Sequence, residues 1–114
     1  MVVIETSVFT RRIQELLSDA EYALFQAALV ANPELGDVIP GTNGLRKVRW
    51  GIRGRGKRGG IRVIYHWLQK RHELFLLLAY AKNEQDDLTP QQKKILCKLV
   101  EQEIGNGSKT FSRP

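Results

Sequence analysis

The sequence predicts an α+β domain: a small antiparallel sheet with an N-terminal helical hairpin and a C-terminal helix, in the order β-α-α-β-β-β-α. Three observations lead there. Behind Ser7 and again behind Ser18, apolar residues recur at helical spacing until Asn32-Pro33. From Gly44 to Ala81 the texture becomes alternating, β-branched and aromatic. Helical spacing returns behind Thr89-Pro90.

Val2–Glu5 is a short β-branched run suited to a first strand. Ser7 is placed to cap a short helix whose face carries Phe9, Ile13, Leu16 and Leu17. Ser18-Asp19-Ala20-Glu21 is a capping box, and behind it Tyr22, Phe25, Ala28 and Leu29 share one face. Pro33 ends that helix, because the residue before a proline is driven out of the α region. Residues 34–44 hold Pro40 and three glycines and connect the hairpin to the sheet. Leu45–Trp50, Ile61–Leu68 and Leu74–Ala81 are the next three strands. The last is continuously apolar and so belongs at the centre of the sheet, covered on both faces. The polar turn Gln69–Glu73 makes the second and third of these an antiparallel hairpin. Thr89-Pro90-Gln91-Gln92 opens the last helix, with Ile95, Leu96, Leu99 and Val100 as its stripe and Cys97 as a packing residue. Residues 1–104 form one domain, and residues 105–114, beginning GNGSK, are expected to be a disordered tail.

At 114 residues the chain can bury a modest core without metals or disulfides, and its single cysteine forms no internal bridge and fits a reducing cytoplasm. No signal peptide is read from MVVIETSVFTRR, which holds an acid and no long apolar core. The longest apolar run, residues 74–81, is eight residues long, too short to cross a bilayer as a helix. The expected location is the cytoplasm, with no membrane partner.

The net charge of +6 is unevenly placed. Residues 38–72 contain no acid and ten of the eighteen basic residues, while the rest of the chain carries eight basic against twelve acidic residues. Cations so crowded repel one another until a polyanion neutralises them, so this window reads as a nucleic-acid footprint.

Within it, GIRGRGKRGGIRVIY matches two nucleotide patterns by letters. Gly51-x4-Gly56-Lys57 looks like a phosphate-binding loop, but that loop needs Ser or Thr after the lysine and a helix after the loop. Here Arg58 follows, and then a strand. The dinucleotide reading of Gly54-x-Gly56-x-x-Gly59 fails for the same reason, and a kinase needs a second lobe that the chain lacks. What remains is a basic hairpin loop in which Arg53, Arg55, Lys57 and Arg58 supply phosphate donors, with Arg46 beside them on the strand.

The flanking strands place candidate chemistry. By alternation Lys47 and Arg49 share a face, as do Tyr80 and Lys82, and Arg62 opens the strand after the loop. If these faces coincide, several cations and one phenol can bind a scissile phosphate and stabilise the charge of its transition state. RNA brings its own nucleophile in the 2′-hydroxyl, and a lysine crowded by like charges can serve proton transfer. From the residues alone, phosphate binding with chemistry and without it are equally supported. His66 and His72 have no partner at metal-ligand spacing and read as structural or solvated. Glu84, Asp86 and Asp87 read as capping the last helix, and no metal or cofactor is implied.

The runs GLRKVRWGIRGRGKRGGIRVIYHW and LFLLLAYAKNEQDDLTPQQ, the second with a Y-x-K-N-E-x-x-D-L pattern, resemble the RelE/HigB superfamily of bacterial toxins. The likeness runs from about the capping box to the last helix and is closest to HigB-type members. The resemblance implies a RelE-like fold and a metal-independent, ribosome-dependent endoribonuclease that cuts mRNA in the A site and arrests growth. It implies mRNA on the ribosome and 16S rRNA as partners, and a HigA-like helix-turn-helix antitoxin. It assigns phosphate stabilisation to Arg49 and Arg62 and proton transfer to Lys47 or Lys82. Tyr80 stacks on a base or orients a hydroxyl, and Lys57 with Asn83 joins the RNA- and ribosome-binding set. The chain departs from several members in having no tyrosine or histidine beyond Tyr80, which leaves the general base open. A ParE-like gyrase toxin shares the fold, but the full basic set stands against that reading. A non-catalytic RNA- or ribosome-binding protein is the other alternative.

Overall fold

The computed structural model describes the backbone of residues 1–52 and 56–105 and the side chains of residues 1–51 and 60–103. Strand β1 (Val2–Glu5) leads into helices α1 (Ser7–Leu16) and α2 (Asp19–Ala31). Strands β2 (Asp37–Val38), β3 (Leu45–Ile52), β4 (Gly56–Leu68) and β5 (Glu73–Ala81) follow, then α3 (Pro90–Gly105). The sheet has the order β1-β5-β4-β3-β2. The central pairs β3/β4 and β4/β5 are antiparallel, as expected. The sheet as a whole is mixed, because β1 returns to pair parallel with β5, and the two-residue β2 adds an outer edge within the expected connecting loop.

Local chemistry explains the helix starts. Thr6, rather than Ser7, caps α1: its Oγ1 accepts from the Phe9 N–H at 3.0 Å while its hydroxyl donates to the Leu77 carbonyl at 2.9 Å. Ser18 caps α2 by accepting from the Glu21 N–H at 3.1 Å. At α3 the expected box forms in both directions: the Gln92 N–H donates to Thr89 Oγ1 and the Thr89 N–H donates to Gln92 Oε1.

The sheet is covered on both faces. On one, Val48, Val63, Leu74, Leu76 and Ala79 pack with Phe9, Ile13, Phe25 and Leu29 of the helical hairpin. On the other, Leu45, Ile64, Phe75 and Leu77 pack with Leu96 and Val100 of α3. The continuously apolar β5 therefore feeds both cores, as its composition predicts.

Two features correct the glycine-rich hairpin. The strands run further into it than alternation suggests, to Ile52 and from Gly56, so Gly56–Gly60 is strand and not loop. Gly60 is required there by close approach: a Cβ would lie 2.4 Å from the Trp50 carbonyl oxygen. The side chains of Arg53, Arg55, Lys57 and Arg58 lie outside the described ones. Of the tail, Gly105 ends α3 and residues 106–114 lie outside the described residues.

Tyr65 fastens the β2 segment under the sheet. It is fully buried, its hydroxyl donates to the Pro33 carbonyl at 2.7 Å, and it accepts from the Gly36 N–H at 2.9 Å. Gly36 is tight against it, since a Cβ there would lie 2.9 Å from Tyr65 Cε1 and 2.8 Å from the Lys47 carbonyl oxygen. Removing the hydroxyl strands a donor and an acceptor away from water. Tyr65→Phe is therefore expected to lower unfolding free energy by about 1–3 kcal/mol, measured by urea titration.

Candidate active site

The register assembles the site. In an antiparallel pair, opposite residues project to the same face. Arg49 is paired with Arg62, and Arg62 with Tyr80, so the three form one row across β3, β4 and β5. Lys47, two residues before Arg49, shares that face, which is the face covered by α3. Lys82 directly follows β5, where its N–H donates to the Gly60 carbonyl at 3.1 Å, and its side chain is half-buried. Asn83 is exposed in the turn that follows. The structure thus brings together Lys47, Arg49, Arg62 and Tyr80, with Lys82 two residues beyond Tyr80.

Arg46 is on the other face, opposite Tyr65. Its guanidinium donates to the Gly36 carbonyl at 2.8 Å and pairs with Glu34 at 3.7 Å, so it braces the β2 loop. His66 is half-buried with Nδ1 3.2 Å from the Gly44 carbonyl, and burial lowers its pKa. His72 closes the β4–β5 turn in the left-handed region, at φ 52°. Among the described residues no group of His, Cys, Asp or Glu could hold a metal ion, and no helix is long and apolar enough to cross a membrane.

Arg62 is the anomaly of the row. It is only 4% exposed, and among the described residues no carboxylate pairs with it. One N–H donates to the Ile61 carbonyl at 3.2 Å, while the buried Nε has no hydrogen-bond partner there. Burying a cation without a counter-ion is costly, and this cost is recovered when an anion binds. A planar guanidinium with an unused N–H suits a phosphate, which it grips with two donors.

Tyr80 and Lys47 meet at the β5–α3 turn. The Tyr80 hydroxyl donates to the Asp86 carbonyl at 3.3 Å; Lys47 Nζ donates to the same carbonyl at 3.4 Å and to Asp87 Oδ1 at 2.6 Å. Glu84, Asp86 and Asp87 are read from the sequence as caps of α3. Instead Glu84 accepts from the Ala81 N–H and pairs with Arg12, the Asp86 backbone carbonyl and the Asp87 carboxylate face the strands, and the cap belongs to Thr89. Sequence reasoning missed this role. For Asp87 the available signal was charge balance: a basic window with no acid of its own must draw counter-ions from elsewhere, and this acid stands just beyond β5. The Asp86 contact is made by its backbone and leaves no mark in residue type.

Burial pushes the Tyr80 phenol up to about 12, with Asp87 adding to the rise and Arg62 opposing it. The phenol is therefore protonated at neutral pH and acts as a donor. The Lys47 hydrogen bond, then its charge, hold the Asp87 carboxyl below the usual carboxylate range, with Lys93 and Arg49 contributing. Beside this pair opens a groove of about 330 Å³ lined by Asp37, Ile39, Pro40, Leu88 and Lys93.

The fold is a small α+β domain, and one face of its sheet carries the Arg49–Arg62–Tyr80 row, whose guanidinium and phenol groups are chemically suited to a phosphodiester. A family model described as "RelE toxin of RelE / RelB toxin-antitoxin system" matches residues 1–111. The chain belongs to the RelE toxin family. The fold agrees: a chain of the "intact E. coli RelBE toxin-antitoxin complex" superposes with a TM-score of 0.51 at 13% identity, over 68% of this chain and 92% of that one.

All three tyrosines are held above the ordinary tyrosine value, Tyr80 at about 12. For an acid raised on folding, the stabilisation is complete below the unfolded value and is lost as pH rises through the folded one. Spectrophotometric titration should therefore show little tyrosinate near pH 10, where free tyrosine is half ionised. The urea midpoint should fall as pH rises from about 10 to about 12.

Proposed function

We propose that this RelE-family toxin is a ribosome-dependent endoribonuclease that cleaves mRNA in the A site and so inhibits translation. The observation that carries the reading is Arg62, a buried cation with an unpartnered Nε, set between Arg49 and Tyr80. The row offers two guanidinium groups to one phosphate and a phenol that donates at neutral pH.

In this reading the 2′-hydroxyl attacks phosphorus, forming the O2′–P bond and breaking the P–O5′ bond. A 2′,3′-cyclic phosphate and a 5′-hydroxyl result. The proton leaving the 2′-oxygen and the proton reaching the 5′-oxygen are exchanged with Lys47 and Lys82, which stand on the β3 and β5 sides of the row. Arg49 and Arg62 stabilise the additional charge on phosphorus, which is where such groups contribute most. Tyr80 orients a hydroxyl or stacks on a base. No metal ion takes part. Outside the row, Arg53, Arg55, Lys57, Arg58 and Asn83 bind mRNA and 16S rRNA through the backbone, in the HigB manner.

The toxin is neutralised in the cytoplasm by a HigA-like helix-turn-helix antitoxin. The family's association with toxin–antitoxin pairs supports an antitoxin partner.

Arg62→Ala separates catalysis from binding. Removing one charge-stabilising donor should reduce mRNA cleavage by about 10²–10³-fold. Induced expression should then no longer arrest growth, while co-sedimentation with ribosomes is largely retained and circular dichroism shows a folded protein. Arg62→Lys, which keeps the charge, should retain part of the activity. Growth arrest undiminished in Arg62→Ala would contradict the proposal. Intact mRNA accompanied by DNA damage on wild-type expression would point instead to a gyrase toxin.

A further inference from the structure

The turn between β5 and α3 does more than connect them. Lys47 and Tyr80 stand on β3 and β5, with β4 between them. Both donate to one atom, the Asp86 carbonyl oxygen, at 3.4 and 3.3 Å. That oxygen therefore limits the separation of the ammonium and the phenol to the sum of those two lengths. Asp87 Oδ1 then fixes the ammonium from a second direction at 2.6 Å.

The turn is itself anchored at both ends. At its start Glu84 accepts from the Ala81 N–H at 2.8 Å and pairs with Arg12 of α1. At its end Gln85 donates to the Asp87 carbonyl at 3.0 Å and to Gln92 Oε1 at 2.9 Å, and Gln92 is bound in turn to Thr89. The Asp87 backbone is thus tied to the cap of α3, while its side chain remains 76% exposed. An exposed ion pair contributes little to stability, so stability does not account for a turn braced in this way.

We propose that Asp86 and Asp87 form a positioning clamp, in which the Asp87 carboxylate and the Asp86 carbonyl hold the Lys47 ammonium beside the Tyr80 hydroxyl for the reaction at the Arg49–Arg62 row. Asp87 acts through Lys47 and touches no reacting atom. A free lysine side chain samples many rotamers, and its ammonium is a point charge that sets no direction of its own. Confining it to one place supplies beforehand the orientation that proton transfer requires. The clamp has an electrostatic cost, because a carboxylate facing Lys47, Arg49 and Lys93 also repels the incoming phosphate. The inference therefore expects opposite effects on rate and on binding.

This inference rests on the ribonuclease reading, and the experiment keeps the two apart. Wild type, Asp87→Asn and Asp87→Glu are compared on mRNA-programmed ribosomes under single-turnover conditions, across toxin concentrations. For Asp87→Asn the saturating rate should fall by about 10- to 100-fold. The concentration for half-maximal rate should stay the same or fall, and the melting temperature should not change. Asp87→Glu, which keeps the carboxylate, should recover part of the rate. In parallel, the ¹⁵N resonance of the Lys47 ammonium should be ordered in wild type and averaged in Asp87→Asn, with exposed Lys70 as the mobile standard. A saturating rate for Asp87→Asn equal to or above that of wild type would overturn the clamp. A wild-type Lys47 ammonium as mobile as Lys70 would also overturn it. If wild type cleaves nothing but its Lys47 is ordered and released by Asp87→Asn, the ribonuclease reading fails and the clamp stands as a property of the fold.

Discussion

The antiparallel register of three strands is the constraint on which this molecule depends. Arg49 lies opposite Arg62, and Arg62 opposite Tyr80, only because β3, β4 and β5 are paired as they are. Side chains alternate with period two, so a slip of one residue would send the row to the face of the helical hairpin and bring apolar residues out. The core prevents the slip. Val48, Val63 and Ala79 belong under α1 and α2, and Ile64 belongs under α3, so burial fixes the register that aligns the cations. Packing energy thereby sets the geometry of the site, which it touches through Tyr80.

The row lies in a chain whose positive charge is concentrated in the same segment. Three of the cations described in that window have different surroundings. Arg46 is spent on the backbone of the β2 loop and on Glu34. Lys47 is held by Asp87 at the edge of the sheet. Arg62 is buried without an acid among the described residues, a costly arrangement of the kind that a bound anion would relieve. Structure and charge thus single out Arg62 as the residue most in need of a ligand, and the protonated Tyr80 beside it as a donor.

Much of this was legible in the sequence, for physical reasons. Helix caps are local, so the Ser18 cap and the two-way box at Thr89 were readable; the shift from Ser7 to Thr6 is a one-residue ambiguity between neighbouring hydroxyls. The continuous apolar run of β5 announced a central strand. Period two placed Lys47 with Arg49, while the opposition of Arg62 to both Arg49 and Tyr80 needed the register, which no single strand encodes. The parallel return of β1 to β5 was not legible, because pairing between segments some seventy residues apart leaves no local pattern. Arg46 and Lys47 are adjacent basic residues with opposite fates, set by which face of β3 each one meets. The acids of the β5–α3 turn looked like helix caps because they precede a helix. Only tertiary structure shows that the Asp87 carboxylate meets Lys47 and that the Asp86 carbonyl meets both Lys47 and Tyr80.

The central claim is that this sheet face cuts RNA only where the ribosome presents it. The most direct measurement is primer extension on a defined mRNA, comparing ribosomes programmed with a known A-site codon with the same mRNA free in solution. The account predicts scission within the A-site codon, a 2′,3′-cyclic phosphate on the upstream fragment, and no cleavage of the free mRNA. Equal cleavage of free and ribosome-bound mRNA, or mRNA left intact on the ribosome, would contradict it.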